Sequence, residues 1–287
     1  MRYSTQNSEY KLIDTSSGER LERWGDVTLI RPDPQIIWKT EKGKEWDEAD
    51  ARYIRSNKGG GHWEIYRKTK EAWNVNFGEI TMLVRPTGFK HTGVFPEQAV
   101  NWQMFDEIIK NANREVSVLN LFAYTGGATL ACAKAGANVC HVDASKGMVS
   151  WARENAALSG LSDKPIRWIV DDCKKFVERE IRRGRRYDAI IMDPPSYGRG
   201  PSGEVWQLED QIYDLVDLCS GVLSDDPLFF VINSYTAGLT PSVMKYVLSQ
   251  TVAKGRGGEL SADEIGIMVE KTGQCLPCGS TAIWLKK

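Results

Sequence analysis

From about residue 116 to residue 253 the chain alternates short apolar runs with amphipathic stretches, and the apolar runs close on acids or small polar residues. That alternation implies a parallel sheet with right-handed helical crossovers. The runs predict strands over 116–121, 138–142, 166–170, 187–192 and 228–232. Helices are expected over 128–137, 145–159, 173–183, 205–223 and from Thr240-Pro241 to residue 253. The first strand breaks sharply at Phe122-Ala123-Tyr124-Thr125-Gly126-Gly127 into a helix of small residues. In doubly wound α/β folds that corner binds nucleotides. The paired glycines are expected to let backbone approach a ligand, and the helix start offers unpaired N–H groups. The fold class is therefore α/β: a Rossmann-like, doubly wound, mostly parallel sheet.

Residues 1–90 read differently. Gly25-Asp26 and Gly78-Glu79 sit between short alternating runs and predict two hairpins. We assign 1–90 to a small antiparallel β-rich accessory domain and 91–287 to the ligand-binding domain. Within 52–70, Arg52, Arg55, Lys58, Arg67, Lys68 and Lys70 face one acid, Glu64, with Tyr53, Trp63 and Tyr66 interleaved. Two readings stand. Cations with aromatics suit single-stranded RNA, with Arg52, Arg55, Lys58 and Trp63 as contacts; lysines also protect a solvated sheet edge. The loop Thr92-Gly93-Val94-Phe95-Pro96-Glu97-Gln98 leads toward the nucleotide corner, placed either to close over a ligand or simply to connect domains.

The net charge of −1 makes any nucleic-acid contact local. No apolar run is long enough to span a membrane, and the N-terminus has no signal-like apolar stretch. Six cysteines scattered through apolar segments fit a reduced, cytoplasmic protein. Cys275-Leu276-Pro277-Cys278 stands alone, and the three histidines lack ligand spacing, so no metal site is expected.

Ligands of open α/β sheets lie beyond the strand C-termini. Acids occupy three of these: Asp143, Asp171-Asp172 and Asp193. An acid after strand two can accept from both ribose hydroxyls, and one after strand three from an adenine amine. The first turn is not G-x-G-x-x-G and places a bulky Tyr where a pyrophosphate needs open backbone, which disfavours NAD. Asp193-Pro194-Pro195 after strand four has no purpose in a dehydrogenase.

Val118 to Gly127, Val142-Asp143-Ala144-Ser145, Asp171-Asp172 and Asp193-Pro194-Pro195-Ser196 resemble the successive motifs of class I S-adenosylmethionine-dependent methyltransferases. More narrowly, they are similar to the bacterial ribosomal-RNA large-subunit methyltransferase group. That group also carries a T-G-x-[FY]-x-x-Q loop, matched by Thr92, Phe95 and Gln98. The resemblance implies S-adenosylmethionine as cofactor. It implies that Phe122, Ala123, Tyr124, Thr125 and Gly126 cradle the methionine and ribose, and that Asp143 binds the ribose hydroxyls beside Ala144 and Ser145. Asp172, followed by Cys173, would hold the adenine amine. Asp193 and the Pro194 carbonyl would face the methyl and the acceptor. Two departures stand out: Asn120 replaces an acid common in relatives, and Tyr197 lies one place later than the usual aromatic.

For an exocyclic amine, Asp193 and Pro194 can accept N–H bonds and aim the nitrogen lone pair. Pro194 and Pro195 stiffen the loop, Ser196 follows them, and Tyr197 is placed to stack on the base. Carbon-5 methylation of cytosine needs a thiolate, yet the matching places hold Ser196 and Ser234. The expected function is N-methylation of a base in ribosomal RNA. A protein or small-molecule acceptor and a non-catalytic cofactor- or RNA-binding module are the alternatives.

Overall fold

A computed structural model describes residues 1–4, 8–56, 60–67, 69–199 and 205–286. They form two compact units. One holds residues 3–99 and 266–278; the other holds residues 1–2, 100–265 and the chain from 279 onward.

The larger unit contains β1 (Ser117–Leu121), α1 (Gly127–Lys134), β2 (Asn138–Asp143), α2 (Lys146–Leu158), β3 (Ile166–Val170), α3 (Cys173–Arg182), β4 (Ala189–Met192), α4 (Leu208–Ser220), β5 (Phe229–Ser234) and α5 (Pro241–Gln250). Strands β6 (Glu259–Met268) and β7 (Cys275–Leu285) complete the sheet. Its order is β6-β7-β5-β4-β1-β2-β3, with the short strand Arg2–Tyr3 beside β6. Strands β1 to β5 run parallel, and β7 pairs antiparallel with β5. The winding direction switches between β1 and β4, which opens a crevice at their C-terminal ends.

Strands β1, β4 and β5 are buried almost throughout, as strands packed on both faces are. Leu119, Leu121, Ile190, Met192, Phe230 and Ile232 share one core with Phe176 and Val177 of α3 and Leu215 and Val216 of α4. The helix Ala99–Asn111 stacks Phe105 on Phe229, ring centroids 5.1 Å apart. Side-chain caps set three helix starts: Ser145 accepts from Met148 N, Asp172 from Lys175 N and Thr240 from Val243 N. Several helix boundaries depart from the sequence reading by about three residues, and one of them has a clear cause. The helix expected from residue 205 begins at Leu208, because Val205–Gln207 pairs antiparallel with Tyr197–Arg199.

The smaller unit carries a five-stranded sheet in the order Tyr10–Ser16, Glu19–Trp24, Val27–Pro32, Ala51–Arg55, Gly61–Ile65. Every pairing is antiparallel except that of Val27–Pro32 with Ala51–Arg55. The hairpin Trp73–Phe77/Ile80–Val84 buries one face, as its alternation predicts. An ionic cluster lies inside the unit. Fully buried Glu22 accepts from Arg31 Nε at 2.5 Å, Arg31 Nη2 at 2.8 Å and Tyr10 Oη at 2.7 Å. Burial pushes the Glu22 carboxyl up, but Arg20 and Arg31 outweigh it and hold its pKa at about 2. Among the described residues no helix is long and apolar enough to cross a membrane.

Candidate active site

The turn after β1 is held in an unusual backbone conformation. Phe122 (φ 54°) and Tyr124 (φ 50°) both lie in the left-handed region, which costs a non-glycine residue about 1–3 kcal/mol. Surrounding contacts enforce it. Phe122 N donates to Cys173 Sγ at 3.3 Å, Ala123 N to Val142 O at 3.1 Å and Tyr124 N to Asp143 Oδ2 at 2.9 Å. Asn155 Nδ2 donates to Thr125 O at 2.8 Å, and Gly126 N to Ala123 O at 3.0 Å. Groups on β2, α2 and α3 thus fix one turn, the kind of over-determination that functional sites show.

The glycine pair is closely packed against the protein itself. Gly126 has φ +91°, and a Cβ there would lie 3.0 Å from Ala152 Cβ on α2. A Cβ on Gly127 would lie 2.3 Å from Trp102 Cζ2. Helix packing and backbone conformation thus constrain both positions.

Asp143 ends β2 with both carboxylate oxygens engaged: Oδ2 accepts from Tyr124 N and Oδ1 from Ser145 N at 2.8 Å. Each oxygen retains a lone pair, so a vicinal diol can still be accepted. Burial raises the Asp143 pKa, and the two backbone N–H groups oppose that shift. Ala144 and Ser145 lie exposed beside it. Asp171 N donates to Asp143 O at 3.1 Å, and the Asp171 carboxylate pairs with Arg179. Exposed Asp172 caps α3, and Cys173 is buried under Phe122 with its thiol pKa pushed far up by burial. This donor set fits an adenosine: an acid for the ribose after β2 and an acid after β3.

Asp193 follows β4 and stands next to the turn, its N–H donating to Leu121 O at 3.4 Å. Pro194 is buried, Pro195 exposed, Ser196 half-buried and Tyr197 exposed. Trp206, absent from the sequence-derived candidates, joins the corner to the turn. Its Nε1 donates to Pro195 O at 2.6 Å, and its ring lies 5.7 Å from that of Phe122. Leu208 N donates to Ser196 O at 3.1 Å. The β-prone trio Val205-Trp206-Gln207 ahead of Glu209-Asp210 was the available signal.

Asn120 does not face this corner chemistry as an acid would. Its buried Nδ2 donates to Thr129 Oγ1 at 2.9 Å, whose hydroxyl lies 2.9 Å from His141 Nδ1. Burial depresses the His141 pKa to about 3.

The remaining candidates belong to the smaller unit. Thr92 is fully buried, Phe95 packs against His91 with centroids 5.1 Å apart, and buried Gln98 donates its N–H to Phe95 O. Arg52 Nε pairs with Glu19 at 2.8 Å, and Trp63 Nε1 donates to Thr87 O at 2.9 Å; both are engaged within the fold. Arg55 is exposed, and Lys58 lies outside the described residues. Among the described residues, no group of three or more His, Cys, Asp or Glu side chains could hold a metal.

Comparison with known proteins gives the family. The family profile for S-adenosylmethionine-dependent methyltransferases matches residues 55–234. A crystal structure of a SAM-dependent methyltransferase from Agrobacterium tumefaciens has a TM-score of 0.93 at 39% identity, covering 99% of this chain and 93% of that one. A methyltransferase complexed with SAH has a TM-score of 0.73 at 19% identity, over 98% of this chain and 76% of that one, a likeness of fold alone. The "Ribosomal RNA large subunit methyltransferase K/L" of Syntrophotalea carbinolica is 29% identical over 183 residues, 63% of this chain and 25% of that protein. Its namesake from Shewanella frigidimarina is 37% identical over 112 residues, 39% of this chain and 15% of that protein. The chain thus spans a quarter or less of the length of these curated relatives. It belongs to the S-adenosylmethionine-dependent methyltransferase family, with S-adenosylmethionine as its cofactor.

Proposed function

We propose that this chain methylates an exocyclic amine of an RNA base, with ribosomal RNA as the substrate class. The observation that carries the reading is the Asp193–Leu121 backbone hydrogen bond, which joins the Asp-Pro-Pro corner to the turn after β1. When bound, S-adenosylmethionine supplies a methyl group on a sulfonium, an electrophile that needs only an aligned nucleophile. In this reading the turn 122–126 cradles the methionine and ribose, Asp143 accepts the ribose hydroxyls beside Ala144 and Ser145, and Asp172 accepts the adenine amine. Asp193 and the Pro194 carbonyl accept N–H bonds from the target amine, leaving its lone pair aimed at the methyl. The consecutive prolines offer no competing N–H donors.

RNA as acceptor is supported by the curated relatives, which are named for ribosomal-RNA methylation. Nitrogen rather than carbon 5 follows from the cysteines. The thiol beside the turn, Cys173, is buried and held protonated, and Ser196 and Ser234 occupy the strand ends where a nucleophilic thiol would stand. A cytoplasmic location goes with an RNA substrate and six free cysteines.

Mass mapping of ribosomal RNA from a strain lacking this protein tests the reading. One nucleotide should lose the mass of a methyl group and regain it on treatment with the purified protein and S-adenosylmethionine. A complete modification pattern in the mutant strain, or label arriving at cytosine carbon 5, would contradict it.

A further inference from the structure

The smaller unit presents an exposed aromatic on a turn that the fold braces from several sides. Phe89 is 67% exposed. The turn around it is not left to fluctuate: Tyr53 Oη donates to Gly88 O at 3.2 Å, Trp63 Nε1 to Thr87 O at 2.9 Å and Arg31 Nη1 to Lys90 O at 3.0 Å. Thr87 Oγ1 donates to His91 O at 2.8 Å and accepts from Phe89 N at 3.2 Å, while Arg85 N donates to Thr92 O at 3.1 Å. Tyr53 and Trp63, packed edge to face at 5.4 Å, form the buttress beneath. Two large aromatics and a buried arginine therefore hold a loop whose own aromatic faces solvent.

The surroundings are cationic. Lys90 follows Phe89, and Arg55 ends the strand Ala51–Arg55, exposed and without an acidic partner among the described residues. Burial, with Arg20, Arg31 and Arg55 close by, lowers the Lys90 pKa to about 8 against the opposing pull of Asp33, so it stays largely charged at neutral pH. His91 contributes no charge: burial and the same cations depress its pKa to about 3. A rigid aromatic flanked by cations is the arrangement that holds an unstacked base between backbone phosphates.

We propose that Phe89 is a stacking platform for an unpaired RNA base, with Lys90 and Arg55 receiving the flanking phosphates. It deepens the RNA reading given above and adds residues outside the sequence-derived contact set. Arg52 and Trp63 of that set act instead as supports, tied to Glu19 and Thr87.

The test uses the full chain and a fluorescein-labelled single-stranded RNA of about 12 nucleotides, titrated by anisotropy at several salt concentrations. Phe89→Ala should weaken binding about tenfold, and Phe89→Tyr should restore it, because any aromatic face serves. The salt slope should not move for Phe89→Ala, whereas Arg55→Ser with Lys90→Gln should flatten it by about 0.7 per lost contact. A duplex of the same sequence, its bases already stacked, should bind wild type and Phe89→Ala alike. Equal affinity of wild type and Phe89→Ala for the single strand overturns the proposal, as does no binding by wild type. Methyl transfer to ribosomal RNA, measured on the same proteins, reports on the reading beneath it. An intact Phe89 effect without transfer would overturn the methylation reading and leave the platform standing.

Discussion

The indole N–H of Trp206 donates to the carbonyl oxygen of Pro195 at 2.6 Å while its ring lies 5.7 Å from Phe122. One side chain thus spans the Asp-Pro-Pro corner and the strained turn after β1. The bond fixes the direction of the Pro195–Ser196 peptide, one residue past the Pro194 carbonyl that is assigned to the target amine. Trp206→Phe keeps a ring against Phe122 and removes the donor, and should lower kcat about tenfold with donor affinity nearly unchanged. Trp206→Ala should lower kcat further and weaken the donor as well. Steady-state transfer kinetics with calorimetry on the same proteins check this; a Trp206→Phe enzyme with wild-type kcat would remove the bond from the account.

Asp143 makes a second prediction. Asn at this place offers one acceptor oxygen where Tyr124 N and Ser145 N now use two. Asp143→Asn should weaken S-adenosylmethionine binding about 10- to 100-fold. The carboxylate pKa is raised, chiefly by burial, so protonation begins at a higher pH than for an ordinary aspartate. The charged form is the acceptor, so wild-type affinity should fall as pH drops toward that raised value, whereas the Asn variant should change little. Calorimetry across mildly acidic pH distinguishes the two.

Gly127 tests the packing explanation of the glycine pair. A methyl there meets Trp102 at 2.3 Å, and overpacking of this kind typically costs about 1–3 kcal/mol. Gly127→Ala should be destabilised by that order in urea melts, and Trp102→Ala in the same chain should relieve part of the loss. Strictly additive effects in the double-mutant cycle would show that the two residues do not meet.

Glu22 predicts a pH dependence in the smaller unit. Its pKa is lowered from 4.5 to about 2 in the folded chain, against the upward push of burial, because Arg20 and Arg31 favour the anion. A carboxyl with a depressed folded pKa stabilises the fold above its unfolded value and loses that contribution as pH falls through the folded one. The stability difference between wild type and Glu22→Gln should therefore be constant above about pH 4.5 and shrink toward pH 2. At neutral pH the substitution leaves Arg31 without its buried partner and should cost about 3–5 kcal/mol. Denaturant melts over this range provide the check.

The parallel sheet was legible because doubly buried strands read as apolar runs and their C-terminal acids mark the rim; Asp143, Asp172 and Asp193 lie where that logic puts them. Helix starts at Ser145, Asp172 and Thr240 follow from local capping chemistry, which a sequence displays directly. What stayed hidden depends on distant partners. The reason for Gly127 lies in Trp102, 25 positions earlier in the chain. Trp206 acts through Pro195, across a ribbon whose sequence reads as loop and helix. Arg52 looks like a free cation until Glu19 is found beside it. The return of residues 266–278 to the smaller unit has no local signal at all.

The most direct test of the account is Asp193, because the acceptor corner is its centre. S-adenosylmethionine affinity by calorimetry and label transfer to ribosomal RNA should be measured side by side for wild type and Asp193→Ala. The account predicts transfer reduced about 10²–10⁴-fold with donor affinity largely kept. Transfer at the wild-type rate, or binding and transfer lost together, would contradict it.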